Sequence, residues 1–573
     1  MKKSIYILVL LIIACQNKKE SSKFDFTTRF EKSNGLETAT YEEIISFYKA
    51  LASTYPNVTI DSIGLTDSGK PLHAVSLKPK ETSDELVTLL INNGIHPGES
   101  DGIDATMMLF RDILQGKIKA PKHNELVTIP VYNVGGSLNR NSSTRTNQNG
   151  PKAYGFRGNA RNFDLNRDFI KCDTENAKSF AKLFHSIEPE LFIDNHVSNG
   201  ADYQYTLTHL FTQHNKLNGV LGNYLHKNLM PGLEQKLKEK DWDITPYVNV
   251  FNSVPEKGFS QFMDYPRYST GYTTLFHTLG MMVETHMLKP YKQRVLGTYE
   301  LMQSMIEISE ADYLKIIDLK KQQSSFYKTS KSYALDWKID TTRHTTIQFK
   351  GFEGEFIDSE ITGQKRLKYD PNKPFTKPVV YQNYFVSSNE ITIPEAYIIP
   401  QGWHDIVELL DLNKVQYEVL KKDTLIEVSQ YKIKSYETRN SPYEGHYLHY
   451  NTKVNSLNKT LAFKKGDLLV FTNQTAVRYV LETLEPQAPD SFFNWNFFDT
   501  ILQQKEGFSP YVWEDKAVEL LSSDPELKNE FESKKINDQK FAENWYEQLD
   551  WLHKQSPNYE NAHMTYPIYR IEK

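Results

Sequence analysis

His96 and Glu99 stand three residues apart in "LINNGIHPGESDG", where a run of strand-forming residues meets a Pro-Gly turn and a helix begins. Across so tight a turn an imidazole and a carboxylate both aim at one point above the strand end. Two His and one Glu, with a fourth position left open, form a catalytic zinc shell. The spacing alone is weak evidence, because the chain has 16 His and supplies its own chance match. His185 and Glu188, in "LFHSIEPEL", share the spacing but close an amphipathic helix, where a histidine simply suits the negative end of the dipole. Glu99 is likewise favoured at a helix start whatever its chemistry.

Three other segments add residues of the right kind. "ELFIDNHVSNG" delivers His196 after an apolar strand, with Asp194 two residues earlier on the same face, where a carboxylate can fix the imidazole tautomer. "LGMMVETHML" sets Glu284 in an otherwise buried strand. An unpaired carboxylate there is costly unless it is paired or does chemistry, and a base that takes a proton from water meets that condition. His286, close by, reads as a structural or supporting residue. In "GFRGNARNFDLNRDF", residues 155–169, Asn166 beside Arg167 offers an amide next to a planar two-pronged donor, the geometry for gripping a carboxylate. The plainer alternative is a loop salt-bridged around Asp164 and Asp168.

The elements that carry these residues alternate. "LVTLLINNGI", "VTIPVYNV", "LFIDNH" and "LGMMVETH" read as buried strands. Between them, Ile103, Met107, Phe110 and Leu114 mark one amphipathic helix and residues 174–187 another, stopped by Pro189; Val295, Tyr299, Met302 and Ile306 mark a third. Strands alternating with helices predict an α/β domain, a mixed and largely parallel sheet with helices on both faces, whose ligands bind beyond the carboxyl ends of the strands. Near residues 318–332 the composition turns polar and basic, which suits a boundary. Short strand candidates follow ("TTIQFKGFEGEF", "VVYQNYFV", "ITIPEAYII", "YEVL", "LIEVSQYKI"), then "DSFFNWNFFDTILQQ" and "DPELKNEFESKK", which read as helical. The expected organisation is a signal and tether over 1–20, a catalytic domain over 21–320, and a β-rich accessory region with C-terminal helices over 330–573. Its clustered aromatics suit either carbohydrate contact or a core.

"HPGE", "FDLNRDF", "DNH" and "VETH", in that order, together resemble the M14 zinc carboxypeptidases, and "YPNVTIDSIGLTDSGKPLHAVSL" looks like that family's opening hairpin. The resemblance covers about residues 40–310. It implies one zinc held by His96, Glu99 and His196, Glu284 as the base, and Asn166 with Arg167 on the terminal carboxylate of a peptide. It also implies an arginine that polarises the carbonyl, read as Arg145 in preference to Arg140, and a mobile tyrosine, read as Tyr268 with Tyr272 close behind. Relatives of this fold that cut cell-wall stem peptides or acyl-amino acids give a second reading. A catalytically silent binding lipoprotein, which would have lost a ligand or the base, gives a third.

Composition fits a globular enzyme: 39% apolar residues and a net charge of −5 over 573 residues indicate neither disorder nor a nucleic-acid surface. The start, Lys2, Lys3, an apolar run from Ile5 to Ala14 and Cys15, reads as an export signal ending in a lipid-attachment cysteine. No later segment is apolar for 18 residues, so the expected location is the bacterial cell envelope, held by lipid alone. With Cys15 modified, Cys172 has no disulfide partner.

Overall fold

The computed structural model describes residues 24–81 and 85–573, so the Ile5–Ala14 run and Cys15 lie outside the described residues. Among the described residues the central sheet has eight strands: β1 (Val58–Leu65), β2 (Pro71–Leu77), β3 (Val87–Asn93), β4 (Asn124–Ile129), β5 (Leu191–Ser198), β6 (Leu207–Phe211), β7 (Ile244–Pro246) and β8 (Leu279–His286). Their spatial order is β1-β2-β4-β3-β5-β8-β6-β7. The centre, β4-β3-β5-β8, is parallel, while β1-β2-β4 and β6-β8 pair antiparallel. Every residue of β5 is buried, which explains its unbroken apolar start. The opening hairpin read from the sequence is β1–β2, with Val58 opposite Leu77.

Helices α1 (Tyr41–Thr54), α2 (Asp101–Leu114), α3 (Glu175–Ile187) and α4 (Tyr291–Thr329) flank the sheet. Thr40 and Glu43 form a capping box on α1, and Thr174 caps α3. On one face Ile44 of α1, Met107 and Phe110 of α2, and Leu301 and Met302 of α4 pack on Leu89, Ile91 and Ile193. The periodic residues of α2 are all buried. The polar stretch expected to mark a boundary forms the last turns of α4, a helix of 39 residues that runs unbroken to Thr329. No helix among the described residues is long and apolar enough to cross a membrane.

Beyond α4 the chain is β-rich and ends in helices. Two long hairpins dominate it: β9 (Thr345–Asp358) with β10 (Lys365–Gln382), and β11 (Thr424–Thr438) with β12 (His449–Phe463). Residues 525–537, which take in all of the predicted "DPELKNEFESKK" segment but Asp524, are helical. "DSFFNWNFFDTILQQ" departs from its helical reading: it is a series of turns with a short 3-10 turn at Asp499–Leu502. Phe492, Phe493, Trp495 and Phe498 are all fully buried, on more sides than one helical stripe allows, and Asn496 takes a positive φ of 68°. These aromatics are core, and it is a shared core. Leu90 and Phe192 of the sheet and Phe180 of α3 belong to one cluster with Tyr397, Val477, Val480 and Trp495, so the accessory region covers the second face of the catalytic sheet.

Candidate metal centre

β3 ends at Asn93, and Gly94, whose φ of +67° turns the chain out of the sheet, is followed by a tight turn, closed by Glu99 N–H on the His96 carbonyl at 2.8 Å, that leads into α2. His196 leaves the end of β5, the neighbouring strand. The three side chains meet there and are buried, at 4%, 3% and 3% exposure for His96, Glu99 and His196. One carboxylate oxygen, Glu99 Oε2, lies 3.2 Å from His96 Nδ1 and 3.0 Å from His196 Nδ1. The other, Oε1, accepts from Arg145 Nη1 at 2.7 Å. Each imidazole spends its far nitrogen on a second carboxylate: His96 Nε2 sits 2.9 Å from Asp164 Oδ1, and His196 Nε2 3.0 Å from Asp194 Oδ2. That pairing keeps Nε2–H of both rings on carboxylates and turns both Nδ1 atoms toward Glu99.

The donor set suits zinc. Tetrahedral zinc with bonds of about 2.0–2.2 Å separates its ligand atoms by about 3.4 Å, near the spacings found here, and His96 Nδ1 is buried with no hydrogen-bond partner among the described residues. The electrostatics agree. Against the cost of burial, His96, Arg145 and His196 hold the Glu99 carboxyl well below its usual range, and Asp194 and Glu99 hold the His196 imidazole well above its own. A cation must therefore displace a proton to enter.

Glu284 is brought to the centre by register: on the parallel pair β5–β8 it stands directly opposite His196. Burial pushes its carboxyl up to about 7, helped by the charges of Glu99 and Asp194 and opposed by His196. The Glu284 carboxylate makes no hydrogen bond among the described residues, and it borders a cavity of about 350 Å³ together with His96, Glu99, His196, Asn166, Arg167 and Tyr268. Leu210, Met282, Phe251 and Phe262 add apolar surface to the same lining, beside Asn199 and Asn249. Asn166 Oδ1 accepts from Ser269 N–H at 3.3 Å, which leaves its amide hydrogens for another acceptor, and the Ser269 hydroxyl donates to Asp194 Oδ2 at 2.5 Å. The Tyr268 ring lies 4.7 Å from the Arg167 guanidinium.

The two arginines weighed for the carbonyl fare differently from that reading. Arg140 is taken up by the backbone carbonyls of Ala39, Thr38 and Ala153, and Arg145 approaches Glu99 without lining the cavity. The guanidinium that does line it is Arg157, held by Asp164 Oδ2 at 2.9–3.0 Å through Nη2 and Nε. Sequence reasoning passed over it, although it lies in the quoted "GFRGN" seven residues before Asp164. Tyr272 is fully buried on His185 and Asn413, and His286 pairs with Asp202 at 2.9 Å, both away from the centre. His185 itself is a core residue whose imidazole burial pushes down to about 4.

Residues 44–199 match the family model described as zinc carboxypeptidase, Peptidase M14. The chain is similar to Carboxypeptidase 2 of Trichophyton rubrum, 21% identical over 448 residues that cover 74% of this chain and 76% of the fungal one. Its likeness to Carboxypeptidase 2 of Trichophyton equinum is of the same order, 22% over 439 residues, covering 72% and 74%. A putative carboxypeptidase structure from Burkholderia mallei overlays with a TM-score of 0.37 at 16% identity, covering 48% of this chain and 68% of that one. The matched segment supplies His96, Glu99 and His196, while Glu284 arrives from the strand beyond it. The match of residues 44–199 to the zinc carboxypeptidase model, with the likeness to these carboxypeptidases, supports a metallocarboxypeptidase function.

Proposed function

We propose that the enzyme removes single residues from the free C-termini of peptides at this cavity, with one zinc held by His96, Glu99 and His196. The observation that carries the reading is the register of β5 and β8, which sets an acid with no hydrogen-bonded partner beside a ligand histidine, on the cavity that Asn166 and Arg167 also line. When bound, zinc supplies Lewis acidity, polarising the scissile carbonyl and acidifying the attacking water. Glu284 takes a proton from that water on its carboxylate and returns it to the leaving amine nitrogen. A carboxyl that burial pushes to about 7 suits both transfers near neutral pH. Arg167 presents its fork and Asn166 its amide hydrogens to the terminal carboxylate, and Tyr268 closes over the terminal residue from its place against Arg167. Arg157 faces the carbonyl oxygen as negative charge builds there. Arg145, bonded to Glu99 Oε1, would leave Glu99 Oε2 to the metal.

The apolar surfaces of Leu210, Met282, Phe251 and Phe262 suit an uncharged terminal side chain. The basic start, apolar run and Cys15 support export and attachment to the bacterial envelope through lipid on Cys15. The test is incubation of the zinc-loaded protein with a mixed peptide library, followed by mass spectrometry. Stepwise loss of single C-terminal residues is expected, and internal cuts would reject the reading.

A further inference from the structure

The connection between β11 and β12 reaches back from the accessory region to the loop behind the metal centre. At its tip, Tyr443 and His446 exchange backbone hydrogen bonds of 2.7 and 3.1 Å around Glu444 and Gly445, which take φ values of 50° and 81°. This is a two-residue turn of the primed kind, whose twist matches that of the strands. The tip is firmly seated. His446 Nε2 lies 2.8 Å from Asp173 Oδ2, the Tyr443 ring stacks on buried Trp495 with centroids 6.0 Å apart, and a Cβ on Gly445 would lie 3.1 Å from the Phe163 ring.

So held, the turn delivers Glu444 to Asp164. Glu444 Oε2 accepts the Asp164 backbone N–H at 2.7 Å, a bond strengthened by the charge on its acceptor. The Asp164 side chain in turn gathers the polar groups around the centre. Its Oδ1 lies 2.9 Å from His96 Nε2 and accepts the Asn166 N–H at 3.0 Å, while its Oδ2 accepts from Arg157 Nη2 and Nε at 2.9 and 3.0 Å. Those bonds aim His96 and Arg157 only as well as the Asp164 backbone is itself held. Residues 155–164 belong to no helix or strand, so no ladder of backbone bonds fixes that stretch. Glu444 supplies a fixed point for it from 280 residues away.

We infer that Glu444, supplied by the accessory region, is a positioning residue of the metal centre: its carboxylate pins the Asp164 backbone, and through it the side chain that orients His96 and Arg157. The inference rests on the reading of His96 as a zinc ligand and of Arg157 as the group that faces the carbonyl oxygen. It makes the C-terminal region part of the apparatus that holds the centre, beyond its role as cover for the sheet.

The test uses the full-length, zinc-loaded enzyme with Glu444→Ala, which removes the acceptor, and Glu444→Gln, which keeps an acceptor oxygen on the same stem. Both replacements meet the same left-handed backbone as Glu444 does, so its strain cancels between them. Zinc release to a chromogenic chelator is timed well below the melting temperature, and kcat is measured on an N-blocked peptide with a free C-terminus. For Glu444→Ala, release about fivefold faster and kcat about fivefold lower are expected, short of the about 10–100-fold that loss of a direct partner of a metal ligand costs. Glu444→Gln is expected to stay within about twofold of the wild type in both measurements, because the bond to the Asp164 N–H is kept. Wild-type release from Glu444→Ala, whatever its melting temperature, reduces Glu444 to a docking contact and overturns the inference. Equal losses in the two variants overturn it as well, and in either case the ligand reading stands. A wild type that takes up no zinc overturns that reading, and this inference with it.

Discussion

At the scale of single residues, the same spacing produces two unlike histidines. His185 and Glu188 repeat the separation of His96 and Glu99, yet His185 is hydrogen-bonded to Tyr272 at 3.1 Å and Glu188 is the left-handed C-cap of α3. What distinguishes His96 is a free Nδ1 held in place by a carboxylate on the opposite nitrogen. Glu284 is distinguished in the same way, as an acid left without a partner where burial is costly. Glu284→Gln keeps the shape and removes the proton acceptor. Its kcat is expected to fall by several orders of magnitude while zinc stoichiometry, read by elemental analysis, stays near that of the wild type. Full turnover by the variant would exclude Glu284 as the base.

At the scale of elements, the centre is a consequence of strand order. β3 and β5 are neighbours in the sheet although 97 residues separate Glu99 from His196, and β8 adds Glu284 on the next strand. The start of α2 must press close to β5 for Glu99 to reach His196. Gly102 permits this: a Cβ there would lie 2.3 Å from Asn195 Cβ and 2.5 Å from Asn93 Oδ1, inside any tolerable contact. Gly102→Ala should therefore push the first turn of α2 off the strand, costing about 1–3 kcal/mol as an overpacked core site does. Because Glu99 moves with that turn, weaker zinc retention during dialysis against a chelator is expected alongside the lower urea midpoint. A variant that loses stability and keeps wild-type zinc retention would show that Glu99 is positioned by its turn alone.

At the scale of the whole molecule, the accessory region is joined to the catalytic domain by a buried polar seam as well as by apolar contact. On the helix Val477–Leu484, Arg478 donates to the carbonyls of Lys216 and Thr274 at 2.8 and 3.0 Å, and Glu482 accepts from Tyr333 at 2.8 Å. Burial pushes the Glu482 carboxyl from an ordinary 4.5 to about 7, with Lys216, Tyr333 and Arg478 pulling it back. Between those values the folded state binds the proton more tightly than the unfolded chain does. The contribution is therefore fully present below about pH 4.5 and is lost as pH rises through 7, a change of about 3 kcal/mol. Glu482→Gln should flatten that part of the stability profile, so that urea midpoints at pH 5 and pH 8 draw closer together than in the wild type. An unaltered slope would place the titration elsewhere.

The opening hairpin came from the family resemblance, while the sequence by itself determined the α/β class, the helices α2 and α3, and the three segments that end in His96, His196 and Glu284. Each was legible because the signal is local: an apolar run stops, and a polar residue that burial would penalise stands at its end. It also placed Asn166 and Arg167 in one short segment. Only the tertiary structure decided which arginine borders the cavity, since Arg140, Arg145 and Arg157 share one long loop region and their difference lies in where the chain folds back against Asp164. It alone showed that "DSFFNWNFFDTILQQ" is packed from several sides instead of along one helical stripe. And it alone brought Glu444 to Asp164 across 280 residues, because contacts at such separation depend on how two hairpins and a shared core stack, which no local periodicity records.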